Sequence, residues 1–244
     1  MDGSNDFKQQ EVNFVYWAKV LTAKEYDIDR IITRLKSLGR DNLRILDVGG
    51  GIGAVARLIA DSVPGASVDV VDHSVLGRKN FINHERTRLI FDDFLNARFD
   101  CVYDAVIIRT VLHHILGKTE GQTAALQATA IAKARDVLAG DGTLFVTENF
   151  YEPFLFSDLT GGMIFQLTRI RFAAPLFRRL GANTAGEGVR FRSLRRWKRM
   201  FHAAGFEPAC DLLKQQWKMP LWQRIPFLCR DRYQGLLEFR KAGR

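Results

Sequence analysis

Ile45–Gly53, ILDVGGGIG, is the stretch on which the fold turns. The apolar run Leu43–Val48 has the length of a buried strand and enters a turn made almost wholly of glycine. Asp47, Gly49, Gly51 and Gly53 stand in the spacing D-x-G-x-G-x-G. Beyond the turn, Val55, Leu58 and Ile59 recur at helical spacing until Val63-Pro64-Gly65 stops them. A strand that leaves through a tight turn into a helix opens onto the carboxyl edge of a sheet, where open α/β folds bind ligands. Glycine supplies the positive φ such a turn needs and lets backbone approach a ligand closely.

Reading outward, Ser67–Val71 forms a second strand ending in Asp72, 19 residues past Gly53. A carboxylate there can accept hydrogen bonds from both hydroxyls of a ribose. Gly49, Gly51 and Ala54 also satisfy G-x-G-x-x-A, so the glycine string admits NAD and S-adenosylmethionine alike. A helix is expected around 75–84 and a strand at 88–91. Asp104–Ile108 (DAVII) reads as a strand covered on both faces. A long helix follows with Leu126, Ala130, Ala134 and Val137 on one face, and Asp141-Gly142 turns it into the strand Thr143–Thr147. Five strands alternating with helices over 43–147 predict a doubly wound α/β sheet with right-handed crossovers.

The flanks are less regular. Residues 12–38 carry apolar positions at helical spacing (Ile28, Ile31, Ile32 and Leu35 among them) and end at Gly39, which predicts leading helices over 1–40. Residues 150–190 are rich in Phe and Arg where a short connection would suffice, and read as an inserted helical lid. Ser193 can cap a helix carrying Leu194, Trp197, Phe201 and Ala204, closed by Gly205. Residues 207–217 and 233–240 predict two closing strands. No Pro/Gly/Ser linker or repeat divides the 244 residues, so one domain over 1–244 is expected.

Composition narrows the classes. At 47% hydrophobic and 26% charged the chain is globular rather than disordered or fibrous. No stretch has the apolar length of a membrane span, and the polar start MDGSNDFKQQ gives no expectation of a secretory leader. Cys101, Cys210 and Cys229 make no metal pattern and no even disulfide set, so a reducing, cytoplasmic setting and no metal are expected. The net charge of +9 is uneven: residues 1–150 hold 18 basic and 20 acidic side chains, residues 151–244 hold 18 and 7. A basic half can mean an anionic partner or simply a solvated surface.

Further stretches separate the two cofactors. Phe91-Asp92-Asp93-Phe94, DAVIIRTVLHHIL (104–116), ARDVLAGDGTLFVTE (134–148) and WKRMFHAAGFE (197–207) together resemble the class I S-adenosylmethionine-dependent methyltransferases. VGGG followed by VLHH looks closest to their small-molecule O-methyltransferases. The resemblance implies a mostly parallel seven-stranded sheet with an antiparallel C-terminal hairpin. It implies that Gly49, Gly51 and Gly53 cradle the methionine part of S-adenosylmethionine, with Asp47 near its amino group. Asp72, beside His73, would hold the ribose; Asp93, with Asp92 before it as a further cofactor contact, would lie at the adenine amine and the Phe94 backbone at its ring. The backbone at Arg109 would lie near the methionine amine, and Tyr16 would close over the carboxylate. The product would be S-adenosylhomocysteine.

Methyl transfer to a hydroxyl profits from a general base, and imidazole suits that task near neutral pH. His113 fits an L-H-D-W-type alignment and His114 the other alignment, so both are candidates, with Glu148 beside them. Asn149, Tyr151, Phe154 and Met163 are candidate substrate contacts on the lid side. An aromatic or otherwise hydrophobic metabolite is the expected substrate, O-methylation being slightly preferred over N-methylation, from a monomer or homodimer. The rival class is a nucleic-acid or membrane-surface protein. It would use FRSLRRWKRMF (191–201) or the arginine-flanked apolar segment 163–180, and an RNA methyltransferase would join the two.

Overall fold

The computed structural model describes residues 26–154, 158–170, 186, 188–216, 221–225 and 227–243. Seven strands form one sheet in the order β3-β2-β1-β4-β5-β7-β6. They are β1 (Arg44–Val48), β2 (Ser67–Val71), β3 (Thr87–Ile90), β4 (Tyr103–Arg109), β5 (Leu138–Pro153), β6 (Phe206–Gln216) and β7 (Cys229–Lys241). β1 pairs in parallel with β2 and β4, and β2 with β3, whereas β6 and β7 are antiparallel. The doubly wound α/β class and the antiparallel closing hairpin are therefore as expected. The chain divides into two compact units. One runs to Ile108 and includes Val137–Phe145; the other holds Arg109–Asp136 and the chain from Val146 onward.

In the first unit, helix α1 (Tyr26–Ser37) buries the stripe Ile28, Ile31, Ile32, Leu35. Such i, i+3, i+4, i+7 spacing lays one apolar face on the core, about 1.5–3 kcal/mol for each fully covered side chain. Helix α2 (Ala54–Ser62) starts at Gly53 in the left-handed region and buries Val55, Ala56, Ile59 and Ala60. Helix α3 (Val75–Lys79) is capped by the Ser74 hydroxyl, which accepts from Gly77 N. It ends at Lys79 and not near 84, because Ile82 N donates to Ile52 O at 2.8 Å and draws the chain back to the glycine turn. Residues 91–102 form turns and no helix, so the β3–β4 connection departs from strict alternation.

In the second unit, a 3₁₀ turn (Leu112–His114) precedes helix α4 (Glu120–Val137). The buried stripe of α4 is Thr123, Gln127, Ala130, Ile131, Ala134. Leu126 and Val137 are only half-buried, so the face predicted from apolar residues is displaced toward two polar ones. Helix α4 runs directly into β5, and Asp141-Gly142 lies inside that strand instead of forming a turn before it. Gly142, in the part of β5 that belongs to the first unit, is needed there for close approach: a Cβ would stand 3.0 Å from Asp104 O. Helices α5 (Leu159–Thr168) and α6 (Leu194–Ala203) follow, then the short α7 (Leu221–Arg224) between β6 and β7. Ser193 caps α6 by accepting from Arg196 N, and Phe201 stacks on Phe239 at 4.3 Å between ring centres. β7 begins at Cys229, earlier than predicted. Among the described residues no helix is long and apolar enough to cross a membrane.

Candidate active site

The glycine turn is held from both sides. Gly49, Gly51 and Gly53 have φ of 69°, 57° and 76°. A Cβ on Gly50 would collide with the Asp47 carboxylate and meet Val70 Cγ1 at 2.8 Å. One on Gly53 would meet Phe81 at 2.5 Å, and one on Gly77 would meet Gly51 O at 3.0 Å. Positive φ costs an ordinary residue about 1–2 kcal/mol, before any clash. Asp72 locks the turn to the end of β2: Gly51 N donates to its Oδ2 at 2.9 Å and Ser74 N to its Oδ1 at 2.7 Å. Each oxygen keeps a further acceptor site. Asp47, at the end of β1, is 2% exposed.

The remaining expected cofactor residues of this unit cluster after β2 and β3. His73 is exposed after Asp72. Asp92 and Asp93 are exposed; Asp92 Oδ1 accepts from Asp93 N and Asp93 Oδ1 from Leu95 N, which fixes the turn. Phe94 is buried against Phe99, 6.1 Å between ring centres. Tyr16 lies outside the described residues.

The second unit holds the histidines. Arg109 is its first residue, half-buried at the end of β4. Thr110 follows with φ 52°, an outlying conformation for a β-branched residue, pinned by its N–H donating to Thr147 O at 2.7 Å. Strain of this kind concentrates at functional sites. His113 is buried, and its Nδ1 lies 2.6 Å from Glu148 Oε2. Glu148 is fully buried, and its Oε1 accepts from Leu112 N at 2.9 Å. A carboxylate that accepts from Nδ1–H leaves Nε2 of the neutral ring as the acceptor, the tautomer this pair favours. Glu148 is the polar side-chain partner of this ring among the described residues. His114, 4.2 Å away centre to centre, is exposed, and among the described residues no carboxylate bonds it. Surrounding protein, and then His113, push its pKa well below the usual imidazole range, so it is neutral at pH 7.

Sequence reasoning missed the polar layer beneath this turn. Gln127, fully buried, donates from Nε2 to Leu112 O at 2.9 Å and accepts from Arg192 Nε at 2.6 Å. Arg192, 1% exposed, also reaches Asp158 Oδ2 at 2.9 Å and Glu120 Oε1 at 3.3 Å. Burial, then the Arg190 guanidinium, push Arg192 below its ordinary range, while Asp158 and Glu120 oppose them. Arg190 N donates to His113 O at 2.9 Å, and its side chain pairs with Glu120 at 2.7 Å. The sequence shows Gln127 only as one polar residue in an alanine-rich helix and Arg192 only as one of many arginines.

The candidate substrate contacts are dispersed within this unit. Asn149 Oδ1 is buried and, among the described residues, has no hydrogen-bond partner. Tyr151 is buried and stacked on Phe191, 4.6 Å between ring centres, and burial pushes its hydroxyl up to about 12. Phe154 is half-exposed at 51%. Met163 is half-buried and lines an open cavity of about 640 Å³ with Leu159, Leu167, Glu120, Asp158 and Arg190.

A glycine turn after the first strand, a carboxylate after the second and an antiparallel final hairpin define the class I methyltransferase fold. Residues 20–210 match a family model described as a methyltransferase domain, and the chain belongs to that family. It is an S-adenosylmethionine-dependent methyltransferase. The glycine turn fits that cofactor, since it offers bare backbone beside a half-buried carboxylate. Solved structures agree on the fold. Magnesium protoporphyrin IX methyltransferase from Synechocystis PCC 6803 is 15% identical, with TM-score 0.55 over 99% of this chain and 87% of that one. Burkholderia thailandensis 1,6-didemethyltoxoflavin-N1-methyltransferase is 14% identical, with TM-score 0.56 over 100% and 92%. Mitomycin 7-O-methyltransferase is 17% identical, with TM-score 0.52 over 86% and 54%. No curated protein matches the chain in sequence.

Proposed function

We propose that this methyltransferase acts on a hydroxyl of a small, largely apolar metabolite, with His113 as the general base. The observation that carries the reading is the buried Glu148–His113 pair at 2.6 Å. A base must present a lone pair in a fixed direction. Glu148 supplies that by taking Nδ1–H, and it stabilises the imidazolium once the substrate proton has moved to Nε2. Glu148 also holds Leu112 N, so ring and turn move together. His114 has no such orienting carboxylate, and the assignment between the two histidines falls on His113.

The bound cofactor supplies an activated methyl group on a sulfonium centre. Gly49, Gly51 and Gly53, with Asp47, Asp72, His73, Asp92, Asp93 and the Phe94 backbone, would hold it. Asn149 Oδ1 is a buried acceptor ready for a substrate donor. Tyr151 and Met163 offer apolar contact, Phe154 stands at the margin, and the segment 150–190 serves as the lid that excludes water.

The test is transfer of labelled methyl from S-adenosylmethionine to a panel of phenols and nitrogen heterocycles. Phenols are expected to accept. His113→Ala should lower turnover by about 10²–10⁴-fold, and His114→Ala by less than about tenfold. Acceptance by ring nitrogens alone, or full turnover in His113→Ala, would sink the reading.

A further inference from the structure

We propose that Phe191 is a positioning residue for His113: its ring fixes the plane of the imidazole that Glu148 orients. The inference rests on the reading of His113 as the base. The two rings lie 4.7 Å apart centre to centre, inclined at 33°. The contact from His113 Nδ1 to Glu148 Oε2, at 2.6 Å, defines one line through the imidazole. The ring can still rock about that line, and the lone pair on Nε2 lies in the ring plane and rocks with it. A flat partner against the ring removes that freedom, and ring centres in this range are those of packed aromatic pairs. Reacting groups must be aligned as well as near, since a misplacement of about 1 Å can cost about a hundredfold in rate.

Phe191 is itself held, by residues that all belong to the second unit. Arg190 N donates to His113 O at 2.9 Å and Tyr151 N to Arg192 O at 3.3 Å, so main-chain bonds pin the residue on either side of it. Phe150 and Arg192 form a parallel bridge, which lays this segment along β5, the strand that carries Glu148. The Tyr151 ring stacks on Phe191 at 4.6 Å and 26°. Arg192 Nε donates to Gln127 Oε1, and the Gln127 amide holds Leu112 O. Three consecutive residues therefore bear on the histidine turn: Arg190 through its main chain, Phe191 through its ring and Arg192 through Gln127. Phe191 and Arg192 open the stretch 191–201, which by sequence alone could serve nucleic acid. In the fold both are committed within the chain.

The experiment has two arms, both on the full chain. The first follows the His113 Nδ1–H proton by NMR of isotope-labelled protein, identified by its loss in His113→Ala. A slowly exchanging signal is expected in the parent and in Phe191→Tyr, and a broadened or lost one in Phe191→Leu with circular dichroism unchanged. The second arm is methyl transfer to phenols. Phe191→Leu should lower kcat by about tenfold to a hundredfold at unchanged KM, Phe191→Tyr by less than about threefold, and Phe191→Leu should add nothing to His113→Ala. Phe191→Met takes the place of Phe191→Leu where the leucine chain does not fold. The proposal is overturned by a parent without the signal, or by a signal that survives in Phe191→Leu. Full kcat in that variant overturns it too, as does a raised KM in place of the lowered kcat, which would make Phe191 a substrate contact. Full turnover in His113→Ala overturns it by another route: the base reading itself then fails, even with the ring signal still answering to Phe191.

Discussion

Replacing Gln127 with Met tests whether the polar layer under the histidine turn is a structural requirement. Met keeps nearly the same length and volume, so packing changes little. Two hydrogen bonds vanish: the 2.9 Å donation to Leu112 O and the 2.6 Å acceptance from Arg192 Nε. The first leaves Leu112 O with the Ile115 N–H as its remaining donor, a loss of about 0.5–1.5 kcal/mol, and the second removes a bond to a charged group, about 1.5–3 kcal/mol. Asp158 and Glu120 still compensate Arg192, which keeps the total toward the lower end. The expected loss is about 2 kcal/mol, a factor of about 30 in the folding equilibrium. Equilibrium urea unfolding reads it as a midpoint lowered by about 1 M at an unchanged slope. A loss below about 1 kcal/mol would refute the reasoning, since it would mean that water satisfies both partners.

Gly50→Ala should either prevent folding or displace the Asp47 carboxylate; calorimetry with S-adenosylhomocysteine should find affinity at least about tenfold weaker in any folded protein, and unchanged affinity would contradict the packing described. His114 gives a pH signature. Its folded pKa, about 3, lies below the unfolded value of 6.5, so the unfolded chain binds more protons between these values, and stability due to this residue falls as pH drops from 6.5 toward 3. Comparing urea midpoints at about pH 7 and pH 5, His114→Asn should lose less stability on acidification than the parent; an equal loss would show that His114 titrates normally.

The glycine turn was legible because its rule is local: positive φ and close packing admit only glycine, whatever surrounds it. The Ser193 cap and the α1 stripe were legible for the same reason. The end of α3 was not, because Ile82 N is claimed by Ile52 O, a partner far back in the chain. Nor was Gln127, since an apolar pattern cannot show that a polar residue is buried by pairing. For the histidines, sequence left two alignments, and it could not show that Glu148, 35 residues on, stands 2.6 Å from His113. The face of α4 was misplaced by the same blindness, with Thr123 buried because its hydroxyl takes Gly117 N at 2.9 Å.

Helix α5 carries two glycines, and Gly161 has no alternative. A Cβ there would overlap Phe191 O and the Arg190 guanidinium. Each glycine costs a helix about 1 kcal/mol against alanine. The helix also opens on Asp158 at φ 75°, where the Arg192 pair and the Ser193 N–H anchor it. α5 is therefore wound by its anchors more than by its own propensity. Asp158→Ala is expected to loosen the first turn of α5, where fraying is a helix–coil event of about a microsecond. The amides of α5 should exchange with solvent through such local openings while those of α4 wait for global unfolding. An access path covered by α5 would be gated by fraying, with the two glycines setting how often it opens.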